Sequence, residues 1–314
     1  MTMKSSFHFL PPAALVMLLA SGCCDPGVSD GTENKALVQG QARPGAIAVG
    51  ASTIYWINEG DGSVQSAAKA DGRTRVVAPP GAGAVALAAD ETAVYWATGD
   101  SLQSSTSALA TDQHGLVQAI AVDEASVYWS IVGADGNGSI LRVAKSGGAV
   151  ETLASGQHVL GGLAVDAGFV YWATAPAETT GAVRRVPKSG GLVIDLAPVD
   201  AAPLALALDG EGVDWIEDAR AGMPAHLFRV PTGGGEVATL ASGDLGRTLA
   251  ADASGIYVSL AGELARVALE GGQPAALGAD GADPVNRIAL GDSTVYWTVR
   301  GYGELDGKVM ELLQ

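Results

Sequence analysis

The sequence predicts an all-β fold, a ring of repeated four-stranded antiparallel sheets, on three observations. The first is a tryptophan column. Tyr-Trp stands at Tyr55-Trp56, Tyr95-Trp96, Tyr128-Trp129, Tyr171-Trp172 and Tyr296-Trp297, with Asp214-Trp215 and Tyr257-Val258 as degenerate copies. The second positions are spaced 40, 33, 43, 43, 43 and 39 residues apart, and all six tryptophans lie in the column. The second observation is an alanine eight residues before each of those positions: Ala48, Ala88, Ala121, Ala164, Ala207, Ala250 and Ala289. The third is a recurring glycine pair downstream, as in Lys145-Ser146-Gly147-Gly148 and Lys188-Ser189-Gly190-Gly191. Self-similarity at a period of about 40 residues is the mark of a blade repeat.

Each unit reads as four strands. The alanine sits in a short apolar run, such as Leu163-Ala164-Val165, and five of these runs end in Asp90, Asp123, Asp166, Asp209 and Asp252. A polar turn and the Val-Tyr-Trp run complete a hairpin. A third strand carries a recurrent arginine (Arg142, Arg185, Arg229, Arg266), read as structural and paired with the turn aspartates. The glycine pair, expected at Gly233-Gly234 in the fifth unit, turns the chain with positive φ into a fourth run such as Val150 to Leu153. Blades pack face to face, so runs without polar alternation are expected in the inner strands. The small alanine suits the strand nearest the axis. Seven units give a seven-bladed β-propeller over residues 35–314.

The chain ends fit together. The last unit stops after Lys308 to Leu313, one strand short, and Lys35-Ala36-Leu37-Val38-Gln39-Gly40 matches the fourth-strand pattern of Glu151 to Gly156. The N-terminal strand is therefore expected to complete the C-terminal blade and remove an open edge. Ahead of it, residues 1–22 read as a lipoprotein signal peptide, with Lys4, an apolar run from Leu10 to Leu19, and Ala20-Ser21-Gly22 before Cys23. Residues 23–34 then form the lipidated cysteine and a flexible tether of about 18 Å.

Tyr-Trp on the second strand, followed by a third strand and a glycine turn, resembles the YWTD propellers of the low-density lipoprotein receptor family. The pattern is also similar to propeller lipoproteins of myxobacteria. The resemblance covers residues 35–314 and implies fold far more than function. The Asp that should end the motif is absent: the chain has Trp56-Ile57-Asn58, Trp96-Ala97-Thr98, Trp129-Ser130-Ile131 and Trp297-Thr298-Val299.

Composition narrows the function. The formal net charge is −16, which argues against nucleic acid and anionic membrane surfaces as partners. The only cysteines are Cys23 and Cys24, so the propeller has no disulfide and no thiolate metal site. No phosphate loop, dinucleotide fingerprint or Gly-Xaa-Ser-Xaa-Gly elbow occurs in a suitable context.

Candidate site residues map to one face, formed by the loops between strands two and three and the connections between blades. These loops are longest in blades three, four, five and seven, and blades three to five form a contiguous raised sector. The candidates there are His114, His158, His226, Glu178, Glu217, Asp218 and Arg220. Arg247 and Arg287 precede the first strands of blades six and seven, where they could receive an acidic ligand. Asp135-Gly136-Asn137-Gly138-Ser139 has the start of a calcium loop without its closing Glu and reads as a turn. The leading expectation is a non-enzymatic, monomeric envelope lipoprotein that binds or scaffolds a protein, peptide or glycan, with no cofactor. It would be lipid-anchored through Cys23, at the outer membrane or the periplasmic face. The competing expectation is a metal-assisted lyase or lactonase with a histidine and an acidic neighbour in the funnel.

Overall fold

The computed structural model describes residues 34–99, 101–111, 115–157, 159–174, 181–219, 223–277 and 284–314, without the side chains of 159–161. The chain divides into two units, Met1–Gly31 and Thr32–Gln314, and the described residues belong to the second. The signal peptide and Cys23 thus lie outside them, as does all of the tether but Asn34.

The described residues form strands and turns without a helix. The first strand, β1 (Lys35–Gln41), precedes six complete sets of four. Blade one is β2 (Pro44–Val49), β3 (Thr53–Asn58), β4 (Ser63–Ala68) and β5 (Thr74–Ala78). Blade two is β6 (Ala86–Ala89), β7 (Val94–Ala97), β8 (Leu102–Ser104) and β9 (Ala108–Ala110). Blade three is β10 (Leu116–Val122), β11 (Ser126–Val132), β12 (Gly138–Ala144) and β13 (Glu151–Gln157). Blade four is β14 (Val159–Val165), β15 (Phe169–Thr174), β16 (Gly181–Pro187) and β17 (Ile194–Val199). Blade five is β18 (Pro203–Leu208), β19 (Gly212–Glu217), β20 (Ala225–Pro231) and β21 (Ala238–Gly243). Blade six is β22 (Leu245–Asp252), β23 (Gly255–Leu260), β24 (Glu263–Val267) and the two-residue β25 (Ala275–Ala276). Blade seven is β26 (Val285–Leu290), β27 (Thr294–Val299) and β28 (Gly307–Leu313), and β1 pairs antiparallel with β28 to complete it. The protein is a seven-bladed β-propeller closed by its N-terminal strand.

The two sequence columns are one register. Ala48 pairs with Tyr55, Ala88 with Tyr95, Ala121 with Tyr128, Ala164 with Tyr171, Ala207 with Asp214, Ala250 with Tyr257 and Ala289 with Tyr296. A fixed pairing across a short hairpin forces a fixed offset in sequence. The next residue carries the load: Trp56, Trp129, Trp172 and Trp215 are wholly buried. Seven apolar clusters result, one between each pair of neighbouring blades.

Glycine pairs turn strand three into strand four. Gly147 and Gly148 have φ of 81° and 125°, and Gly190 and Gly191 have 78° and 129°. In blade five the residues with positive φ are Gly234 and Gly235, one step later than the sequence suggests.

Candidate functional site

The ring has two mouths. One is made by the turns between strands one and two, where the aspartates that end the first strands act as turn caps. Asp123 Oδ1 accepts the N–H groups of Ala125 and Ser126, both at 2.8 Å, and Asp90, Asp166, Asp209 and Asp252 repeat the pattern. The column tyrosine donates to the other oxygen: Tyr95 to Asp90 at 3.1 Å, Tyr128 to Asp123 at 2.9 Å, Tyr171 to Asp166 at 2.6 Å. A lysine then reaches back from the following blade. Lys145 Nζ lies 2.5 Å from Asp90, and Lys188 Nζ 2.6 Å from Asp123.

This ladder sets the charge states. Burial alone would raise the Asp123 carboxyl, but the Lys188 ammonium and the turn N–H groups outweigh it and hold it at about 2. Asp90 is lowered in the same way, against burial, by Lys145, Thr92 and the turn N–H groups. Burial and the adjacent carboxylate push Tyr95, Tyr128 and Tyr171 up to about 12. Glycine replaces the aspartate in blades one and seven, at Gly50 and Gly291, where a Cβ would stand 3.3 and 3.2 Å from the rings of Tyr55 and Tyr296. A cavity of about 960 Å³ opens on this mouth, with Asp90, Asp123, Asp252, Lys69 and Lys145 on its wall.

The expected pairing of the arginine column with these aspartates holds for Arg229 alone. Arg142 bonds the carbonyl of Lys188 and the carboxylate of Glu151, Arg185 bonds the carbonyl of Thr232, and Arg266 bonds the carbonyl of Ser254. The arginines of blades three and four thus tie each blade to the next. In blade five Asp214 takes the tyrosine's place, wholly buried, and shares Arg229 with Asp209. Burial pushes Asp214 up to about 7, opposed by Arg229 and assisted by Asp209.

The other mouth is the funnel, formed by the loops between strands two and three and the starts of the first strands. Those loops run over 261–262 in blade six, 218–224 in blade five and 300–306 in blade seven. A cavity of about 550 Å³ opens here, walled by Ala46, Leu87, Ile120, Leu163 and Leu206, with Glu59, Gln118 and Arg287 as its charged and amide groups. Arg287 projects from β26 and is half-buried. Its Nη1 donates to the Asn286 carbonyl at 2.9 Å, and the Asn286 side-chain oxygen is 3.5 Å away. Burial lowers its pKa; Glu59 opposes that shift, while Arg247 and Arg300 add to it. Those two arginines have carboxylate partners, Arg247 with Asp218 at 3.4 Å and Arg300 with Glu59 at 3.1 Å.

Arg247, Arg287 and Asp218 are thus gathered at one arc of the funnel. Glu217 is buried and bonded inward: it accepts from Trp215 Nε1 at 2.9 Å and from the N–H groups of Asp200 and Ala201 at 3.1 and 2.8 Å. His226 sits on the third strand, its Nδ1 2.8 Å from the Ser242 hydroxyl and its ring 5.6 Å from Phe228. His114, His158, Glu178 and Arg220 lie outside the described residues. Asp135 Oδ1 accepts the Asn137 N–H at 3.0 Å, a local turn within the suspected calcium loop. Among the described residues no group of three or more His, Cys, Asp or Glu is arranged to hold a metal.

Glu59 and Arg300 escaped the sequence reading, although a signal for them exists. Glu59, Asp218 and Arg300 each stand three residues after the column tryptophan, the position that opens the loop at the funnel lip.

The chain matches no family model and no curated protein. Solved structures resemble it throughout. A manganese complex of oligogalacturonate lyase is 10% identical with a TM-score of 0.71, covering 91% of this chain and 94% of the other. A catalytically inactive variant of virginiamycin B lyase from Staphylococcus aureus, with quinupristin, is 12% identical with a TM-score of 0.68, covering 90% and 99%. The computationally designed protein Ika8 is 16% identical with a TM-score of 0.59, covering 87% and 98%. At such identities the likeness is one of fold.

Proposed function

We propose that this is a non-enzymatic envelope lipoprotein, held to a membrane through Cys23, whose funnel mouth binds a protein, peptide or glycan. The observation that carries the reading is a set of exposed apolar side chains at that mouth. Five of the nine exposed large apolar side chains among the described residues, Val85, Leu116, Met223, Tyr302 and Leu305, stand at first-strand starts or strand-two-to-three loops. Exposed apolar groups gathered on one face mark a contact surface. The turns between strands one and two at the opposite mouth carry exposed Glu91, Glu124 and Asp292. The path of the chain is compatible with tethering. Lys35 pairs with Glu311 and Gln41 with Gly307, so β1 starts at the end of the blade remote from the funnel.

The test is comparative capture from cell envelope by the lipidated protein. Partners bound by the native chain should be lost on Leu116→Asp with Tyr302→Asp and kept on Glu91→Gln with Glu124→Gln. Equal loss from both pairs would refute the funnel reading. Cys23→Ser should move the protein from the membrane fraction to the soluble one.

A metal-assisted lyase or lactonase in the same funnel is the second reading, favoured by the two lyases that share the fold. Metal content of the purified chain, and its loss on replacing His114, His158 and His226 with Ala, decides between them.

A further inference from the structure

Arg247, Arg287 and Arg300 lie close enough at one arc of the funnel to act on one another's charge. Arg247 pairs with Asp218 and Arg300 with Glu59, whereas Arg287 has no ion pair among the described residues. No carboxylate of the described residues comes within salt-bridge distance of Arg287, and its hydrogen bonds go to its own neighbour Asn286. It is also the most deeply placed of the three, on the cavity wall, whereas Arg247 and Arg300 are exposed at the lip. A half-buried guanidinium that donates only to its neighbour Asn286 through Nη1 keeps further N–H groups to donate to an anion, and its planar geometry matches a carboxylate.

The rest of the cavity describes the ligand's body. Ala46, Leu87, Ile120, Leu163 and Leu206 give an apolar wall, and Val85 extends it to the lip. The volume of about 550 Å³ is that of a small-molecule site.

Resting on the reading of the funnel as the binding mouth, we infer that Arg287 receives the carboxylate of a ligand with a compact apolar body seated against the funnel wall. Two sources share that chemistry: a free amphiphilic acid, and the C-terminus of a peptide ending in apolar residues.

Four probes separate the possibilities: octanoate, octanamide, N-acetyl-trileucine and its C-terminal amide, titrated into residues 25–314 and followed by calorimetry. The acids should bind at least about tenfold more tightly than their amides. Arg287→Met should abolish that preference, and Arg287→Lys should restore part of it. Octanoate alone would identify a free acid, and the peptide acid alone a peptide terminus. Acids and amides binding equally would overturn the carboxylate claim while leaving the funnel as a binding site. No binding by any probe overturns it as well, and envelope capture then tells whether the broader reading survives. The ligand-free melting temperature gives an independent readout. An uncompensated receptor arginine costs stability, so Arg287→Met should melt higher; a lower melting temperature with the acid preference intact would mark Arg287 as structural.

Discussion

Glu217 shows how a residue's neighbours decide its role. It opens no loop; it stands two residues after Trp215 and satisfies three donors at once, two of them buried. Asn58 occupies the same position in blade one and accepts from Trp56 at 3.1 Å. These two polar side chains fill the place where the tryptophan motif was expected to carry an Asp. In blades three and four, where Ile131 and Thr174 follow, the indole N–H groups of Trp129 and Trp172 have no partner. Glu217→Ala should therefore cost about 3 kcal/mol, by stranding donors in the interior. Thermal unfolding checks this; a loss under about 1 kcal/mol would show that the indole and loop N–H groups find other acceptors. The aspartates make a second prediction, with opposite signs at two positions. Asp123 is held at about 2, so it stabilises the fold above pH 4 and that contribution, about 2 kcal/mol, is lost as pH falls towards 2. Asp214 is raised to about 7, so the folded chain binds its proton more tightly than the unfolded one. Stability should then fall as pH climbs from about 4 to about 7, by at most about 1.4 kcal/mol per pH unit. Denaturant titrations at several pH values should show the deficit of Asp123→Asn shrinking in acid and the advantage of Asp214→Asn growing towards neutrality. Curves parallel to the wild type would remove both assignments.

At the scale of the element, strands and turns were legible because they recur. The alanine-to-tryptophan offset reports a hairpin register, and the same register holds in all seven blades, including blade five with Asp214 and blade six with Val258. Closure by β1 was legible because Lys35 to Gly40 copies a fourth strand. What crosses between blades was not. Lys145 lies 55 residues beyond Asp90 and Lys188 65 beyond Asp123, so no fixed spacing exposes the pair, and the nearer arginines took the role in the sequence reading. The funnel site was half visible: Arg247, Arg287 and Asp218 were found, but Glu59 and Arg300 gain meaning only when the ring brings blades seven and one together. Turn chemistry can be tested within one element. Gly148 has φ of 125° with open space around it, so Gly148→Ala should cost about 1–2 kcal/mol through backbone strain alone. Gly233 also has open space but no positive φ, so Gly233→Ala should be neutral or gain about 0.5 kcal/mol. Equal effects of the two substitutions would mean that the turns relax around a side chain.

The ring as a whole has one interface unlike the other six. Between successive blades the polypeptide itself is a link, so neighbours that separate remain close and re-form quickly. Blades seven and one are linked through β1, which joins blade seven only by pairing with β28. Their shared cluster is also the smallest: Val38, Ile54, Trp56, Ala67, Tyr296 and Val309, six buried residues against twelve between blades two and three. Four side-chain hydrogen bonds among the described residues stitch the seam: Thr298 Oγ1 to the Gly45 carbonyl at 2.8 Å, Asn286 Nδ2 to the Pro44 carbonyl at 3.0 Å, and Trp56 Nε1 and Asn58 Nδ2 to Gln41 Oε1 at 3.1 and 3.4 Å. The Thr298 donor is wholly buried. Sub-global opening should begin where few apolar contacts and no covalent continuity hold two elements together. Native-state hydrogen exchange should therefore show β1, β2 and β28 opening at lower free energy than β15 and β19. Val38→Ala and Thr298→Val should lower protection in those three strands first. Val183→Ala, in the cluster between blades four and five, should lower the global value instead. The funnel arc of Arg287, Arg300 and Glu59 spans this same seam, so a ligand seated there would clamp it shut. Exchange in β1, β2 and β28 should then slow when the funnel is occupied, and uniform exchange across all blades in both states would show that the ring opens as a single unit.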